Sequence, residues 1–190
     1  MRRRDEETRG SDPADPTSGW SVVGERDPQT VGPDWLPAEP CPIHDVAVQE
    51  IRGVATGTGT LTEIYREDWK LDDGGVAQVF QRSLDPGAVS AWHAHGLATD
   101  RLFAARGRVR LVLYDARMAS PSHGTLWERV FGRDRPLLVV VPPGVWHGVQ
   151  ALGHEPSLLV NVVDRAFAYE GPDHWRLPAD TAEIPYTFSG

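Results

Sequence analysis

His93 and His95 stand one residue apart, and a carboxylate, Asp100, follows across a short loop. Side chains on a β-strand alternate between faces, so two histidines at this spacing point the same way. A third histidine lies downstream in Pro142-Pro-Gly-Val-Trp-His147-Gly148. If these residues converge from neighbouring strands, His93, His95, Asp100 and His147 offer imidazole nitrogens and a carboxylate oxygen to a divalent metal. Zinc, iron, manganese and nickel all suit such a set. The same residues admit a metal-free reading as hydrogen-bonded histidines of a pocket wall. Glu63 is the best additional acid or base, since strand alternation can aim it at the same pocket.

Strands must carry these side chains, and the chain reads as strands. Short stretches at 59–65, 76–84, 89–95, 101–105, 108–114, 125–131, 137–141, 148–152 and 157–163 are separated by turn signals such as Asp72-Asp-Gly-Gly75 and Asp85-Pro-Gly87. Many short strands without a sustained helical period predict an all-β sandwich or barrel. Residues 1–42, with repeated Asp-Pro and a proline-rich bridge, read as a disordered tail. Residues 43–190 form the folded domain, and 165–190 are expected to wrap it. Trp92 and Trp146 alternate away from their neighbouring histidines, toward dimer or inter-sheet packing. His44, His154 and His174 fall in polar or loop contexts, where a surface and a site role are equally open, while His123 reads as a turn residue and Asp115 with Arg117 as a structural ion pair.

The bulk numbers exclude several function classes. A net charge of −8 without a basic stripe argues against nucleic acid as a partner. No apolar run approaches the roughly 20 residues of a membrane span, and the basic N-terminus, with no apolar segment behind it, is not expected to be a signal peptide. One cysteine, Cys41, excludes an internal disulfide and fits a reducing cytoplasm, where it reads as a spectator thiol.

The run Gly87-x5-His93-x-His95-x4-Asp100-x6-Gly107 resembles the first cupin signature, with Asp100 where glutamate is usual. Pro142-x-Gly144-x2-His147 resembles the second, with Ala151 in place of its asparagine. Stretches 107–117, 120–124, 141–148 and the closing Trp175…Asp180…Ile184-Pro-Tyr186 are similar, more narrowly, to the dTDP-4-dehydrorhamnose 3,5-epimerase family. That resemblance implies a cupin double-stranded β-helix (a jelly-roll barrel), a homodimer and an active site in the barrel mouth. It makes His93 the base that removes a proton beside a sugar ketone, with Glu63 retained. Other family residues are replaced. The substrate-polarising lysine aligns with Asp100, the tyrosine acid aligns without a gap with Val160, and the phosphate-gripping arginines fall at about Thr58 and Ser90. The aspartate that partners the base is expected to be missing.

Three readings follow for a small-molecule site without a nucleotide cofactor. One is an isomerase or epimerase of a sugar-like carbonyl compound, with His93 as base and a metal assisting. The second is a metal-dependent enzyme such as an iron oxygenase, and the third a non-catalytic binding cupin. The lost arginines point away from nucleotide-linked substrates, toward a free sugar, a sugar acid or a polyketide-like carbonyl compound.

Overall fold

The computed structural model describes residues 16–27, 29–35 and 40–189. Contacts divide the chain into units 1–38 and 39–190. In the first unit the described residues form turns, with Trp20 and Trp35 exposed. Residues 1–15, 28 and 36–39 of the expected tail lie outside the described residues, whereas Pro40, Cys41 and Pro42 belong to the second unit, where Cys41 packs against the core.

The second unit is built from strands β1 (Ala47–Glu50), β2 (Gly53–Thr56), β3 (Gly59–Thr62), β4 (Gln78–Leu84), β5 (Val89–Ala94) and β6 (Asp100–Arg106). It continues through β7 (Arg108–Asp115), β8 (Leu126–Gly132), β9 (Leu137–Val141), β10 (Val145–Leu152), β11 (Ser157–Val163) and the two-residue β12 (Trp175–Arg176). Two antiparallel five-stranded sheets, β1-β9-β6-β11-β4 and β12-β5-β10-β7-β8, face one another, and β2-β3 forms a separate hairpin. This is the jelly-roll architecture expected. Each of the nine stretches expected to be extended contributes a strand, whereas β1, β2 and β12 were not foreseen. Among the described residues no helix is long and apolar enough to cross a membrane.

Side-chain alternation divides the barrel into a packed half and an open half. On β7, Val109, Leu111 and Leu113 point into the core with Trp127, Phe131 and Val139, while Val112 packs outward against Trp92 and Ile184. The run Leu137–Val141 is apolar at every position because both its faces are covered: Leu137, Val139 and Val141 meet the main core, and Leu138 meets Ile51 and Phe103. Tyr186 and Phe188 lie 6.1 and 5.3 Å from Trp92, which they bury completely together with Ile184. Trp92 and Trp146 are therefore covered by their own chain. The Asp115–Arg117 pair expected as structural is one: Arg117 Nε reaches Asp115 Oδ1 at 2.8 Å, and Ser120 and Ser122 donate to the same carboxylate.

Gly107 links β6 to β7 at φ +75°, and a Cβ there would lie 2.5 Å from Ser157 Oγ and 2.9 Å from Ser157 Cα. Left-handed backbone and the clash with β11 act together. Gly107→Ala should lower unfolding free energy by about 2–4 kcal/mol in a denaturant titration; a loss below about 0.5 kcal/mol, the usual surface-substitution range, would contradict this packing.

Candidate functional site

The open half of the barrel holds a cavity of about 800 Å³. Strands β4, β5, β6, β10 and β11 and the segment after β11 line it with His93, His95, Asp100, His147, Asn161 and His174, among apolar walls such as Leu102 and Leu159. The register explains the convergence. His93 on β5 pairs directly with His147 on β10, and Asp100, at the start of β6, pairs with Val163 on β11. His95 lies just past the end of β5, on the same face as His93.

Asp100 is 2% exposed, and a carboxylate that deep needs compensation. Its Oδ1 accepts from Asn161 Nδ2 at 2.7 Å. Its Oδ2 lies 3.3 Å from His95 Nε2 and 3.2 Å from His147 Nε2. The three ligand atoms lie within 4.8 Å of one another. Both histidines are held from behind by backbone carbonyls, His95 Nδ1–H by Asp173 and His147 Nδ1–H by Val145 at 3.4 Å. A carbonyl only accepts, so each neutral ring carries its proton on Nδ1 and turns an Nε2 lone pair toward the carboxylate. Three electron-pair donors then face one point, and a cation must lie among them: a proton or a metal. Burial alone would lower the His95 pKa, but hydrogen bonding to Asp100 and its negative charge, with the Asp173 carbonyl, outweigh it and raise the value to about 8. Burial would raise the Asp100 pKa, yet His147 and His95 together hold it far below the usual carboxylate range. Imidazole held by a backbone carbonyl is also the usual support of a metal ligand. The donor set therefore fits a divalent cation.

His93 stands apart from these three. Its Nε2 lies 2.9 Å from Ser90 Oγ and its Nδ1 2.9 Å from His174 Nε2. Both nitrogens are engaged there, and this removes His93 from the four-ligand set expected from sequence. Burial, then the charges of His147 and Arg176, push its pKa down to about 3, so the ring is neutral at neutral pH.

His174, for which a surface and a site role were equally open from sequence, is in the site: its ring lies 5.0 Å from that of His93 and 5.2 Å from that of His95. Its Nε2 meets His93 Nδ1 from the side away from Ser90. Two other expectations, for Glu63 and Val160, are revised. Glu63 does not line the cavity: β3 ends at Thr62, strand alternation stops there, and the exposed carboxylate pairs with Arg66 at 3.2 Å. On β11 the cavity-facing residues are Leu159, Asn161 and Val163, so Val160 points away and Asn161 is the polar side chain presented. His44, His123 and His154 lie outside the cavity. Burial pushes the Cys41 thiol up to about 11, which fits a spectator.

No family model matches the chain. It is 36% identical over 139 residues, 73% of its length, to the probable low-salt glycan biosynthesis epimerase Agl13 of Haloferax volcanii, 89% of which is covered. The chain belongs to the sugar-epimerase family of cupins that includes dTDP-4-dehydrorhamnose 3,5-epimerase. Among solved structures, a dTDP sugar isomerase from Desulfovibrio desulfuricans G20 superposes with a TM-score of 0.72 at 29% identity, over 77% of this chain and 92% of that one. The dTDP-4-dehydrorhamnose 3,5-epimerase of Elizabethkingia anophelis NUHP1 shares the fold, with a TM-score of 0.66 at 19% identity over 78% and 83% of the two chains. As a member of this epimerase family, the chain is an epimerase-like, sugar-modifying enzyme.

The two shifted histidines set opposite pH limits on the metal-free protein. His93, lowered from 6.5 to about 3, binds fewer protons folded than unfolded, so its contribution is present above pH 6.5 and is lost as pH falls toward 3. His95, raised to about 8, contributes below pH 6.5 and loses that contribution as pH rises through 8. Thermal midpoints should fall on both sides of pH 6.5. His93→Gln should flatten the acid side and His95→Gln the alkaline side; variants that keep the wild-type profile would contradict these assignments.

Proposed function

We propose that this enzyme epimerises a sugar-like carbonyl compound by removing the proton on the carbon beside the carbonyl. His93 is the base, and His95, Asp100 and His147 hold a divalent cation. The observation that carries the reading is one shared cavity: a neutral His93 faces the same space as the three-donor cluster. When bound, a divalent cation there supplies Lewis-acid polarisation of a carbonyl oxygen, the task of the family's missing lysine.

The chain's own residues supply the proton chemistry. His93 Nε2 takes the proton as the Ser90 hydroxyl, 2.9 Å away, turns aside. His174 accepts the Nδ1–H bond and holds the ring, and the electrons left on carbon delocalise into the carbonyl. Reprotonation from the opposite face, by water entering the open cavity, inverts the centre. The apolar walls limit competing hydrogen bonds around the reacting carbon. Arg82 and Arg165 also line the cavity, so an anionic group on the sugar has guanidinium partners although Thr58 and Ser90 carry none.

The enzyme acts as a homodimer in this reading, supported by the exposed edge strand β4, where Val79 and Phe80 are uncovered. A single cysteine supports a reducing cytoplasm. Two histidines and one carboxylate also form the set used by iron oxygenases, and turnover that requires O₂ would favour that second reading.

A panel of keto sugars, free and nucleotide-linked, incubated with enzyme in D₂O tests the proposal by NMR. Deuterium should enter at the carbon beside the carbonyl of at least one substrate. His93→Asn should slow that exchange by about 10²–10⁴-fold, the usual contribution of a general base. Exchange that proceeds unchanged without His93 would overturn its role.

A further inference from the structure

The loop Gly96–Thr99 joins His95 to Asp100 and so sets the distance between two donors. Its four successive backbone amides are all taken by carboxylates of one distant segment. Asp173 Oδ1 accepts from Gly96 N at 2.7 Å, and Asp173 Oδ2 accepts from Leu97 N at 2.7 Å and Ala98 N at 3.0 Å. Asp164 Oδ1 accepts from Thr99 N at 2.8 Å, and Arg165 Nε donates to Leu97 O at 3.0 Å. The backbone carbonyl of Asp173 also accepts His95 Nδ1–H. The next residue is His174, which holds His93, and then β12 pairs with β5 through Trp175–Ala94 and Arg176–His93.

Asp173 thus fixes three things at once. Its carboxylate ties the loop, its carbonyl selects the His95 ring nitrogen that carries the proton, and its backbone delivers His174. We infer that Asp173 is the positioning residue of this site, acting through His95 and His174 and touching no reacting atom. The part that concerns cation binding rests on the proposed function above. Gly96 supports the assignment independently: a Cβ there would lie 3.2 Å from Asp173 Oδ1, so a glycine lets the carboxylate seat against the amides.

A merely structural clamp predicts a different outcome. Asp164 ties the same loop but offers no carbonyl to a ligand, so Asp164→Ala should loosen the loop without redirecting His95. The test compares wild type, Asp173→Ala, Gly96→Ala and Asp164→Ala as full-length proteins, by Co²⁺ titration against a competing chelator, thermal unfolding, and ¹H–¹⁵N NMR of the histidine rings. Loss of a residue that orients a ligand typically weakens metal binding about 10–100-fold. Asp173→Ala should lose that much, Gly96→Ala should weaken in the same direction, and Asp164→Ala should stay within about threefold of wild type. Asp173→Ala keeps the backbone carbonyl but loses the three loop bonds that seat it against His95. In metal-free protein at pH 9.5 the ring proton, on Nδ1 in wild type, should therefore shift toward Nε2 in the variant. Equal losses in the Asp173 and Asp164 variants, or an unchanged His95 proton in Asp173→Ala, would overturn the assignment. If wild type binds no Co²⁺, the proposed cation fails, and the ring-proton measurement still decides Asp173 by itself.

Discussion

A carboxylate almost wholly removed from water must be met by positive charge or by donated hydrogen, and Asp100 is such a group. Uncompensated, burial of this kind costs several kcal/mol and would expel the charge by protonation. The fold meets the demand with Asn161 on one oxygen and two imidazoles on the other. Because backbone carbonyls hold those imidazoles from behind, what they present to Asp100 is lone pairs, and a cation completes the arrangement. Much of the cavity's chemistry follows from that constraint. The three-donor cluster occupies one wall, and the uncharged imidazole of His93 occupies the neighbouring one.

The jelly roll makes this arrangement inexpensive. Register alone places His93 opposite His147, and a single loop separates His95 from Asp100. The apolar core lies in the other half of the barrel, so the polar cluster is not traded against packing at the same positions. Substitutions at family positions then read as a coherent change. An ammonium in place of Asp100 would repel a cation, whereas a carboxylate there attracts one. Burial, and beside it the charges of His147 and Arg176, keep His93 neutral over a wide pH range, and its partner His174 adds no negative charge to offset them.

Much of the architecture was legible from residue patterns because strand alternation and turn chemistry are local. His93 and His95 share a face for the same reason, and spacing alone indicated it; that His147 would face them was implied by the cupin resemblance. The features that were not legible depend on contacts between distant segments. His174 and Asp173 lie in a stretch without periodicity that reaches the site through a two-residue strand and a few side-chain bonds. Glu63 looked credible only while its strand was assumed to continue; β3 stops one residue earlier. Val160 aligned with the family's acid by counting, but β11 turns Asn161 inward instead. Trp92 showed an outward face, and what covers it is a C-terminal segment more than 90 residues away in sequence.

In the proposed reading His95, Asp100 and His147 hold a divalent cation. Elemental analysis of untagged protein, wild type beside Asp100→Asn, tests it most directly. Close to one equivalent of zinc, iron, manganese or nickel per wild-type chain, lost in the variant, is the expected result. Absence of metal from wild type even after equilibration with each of these ions would contradict the claim, and a shared proton would then be the charge that Asp100 requires.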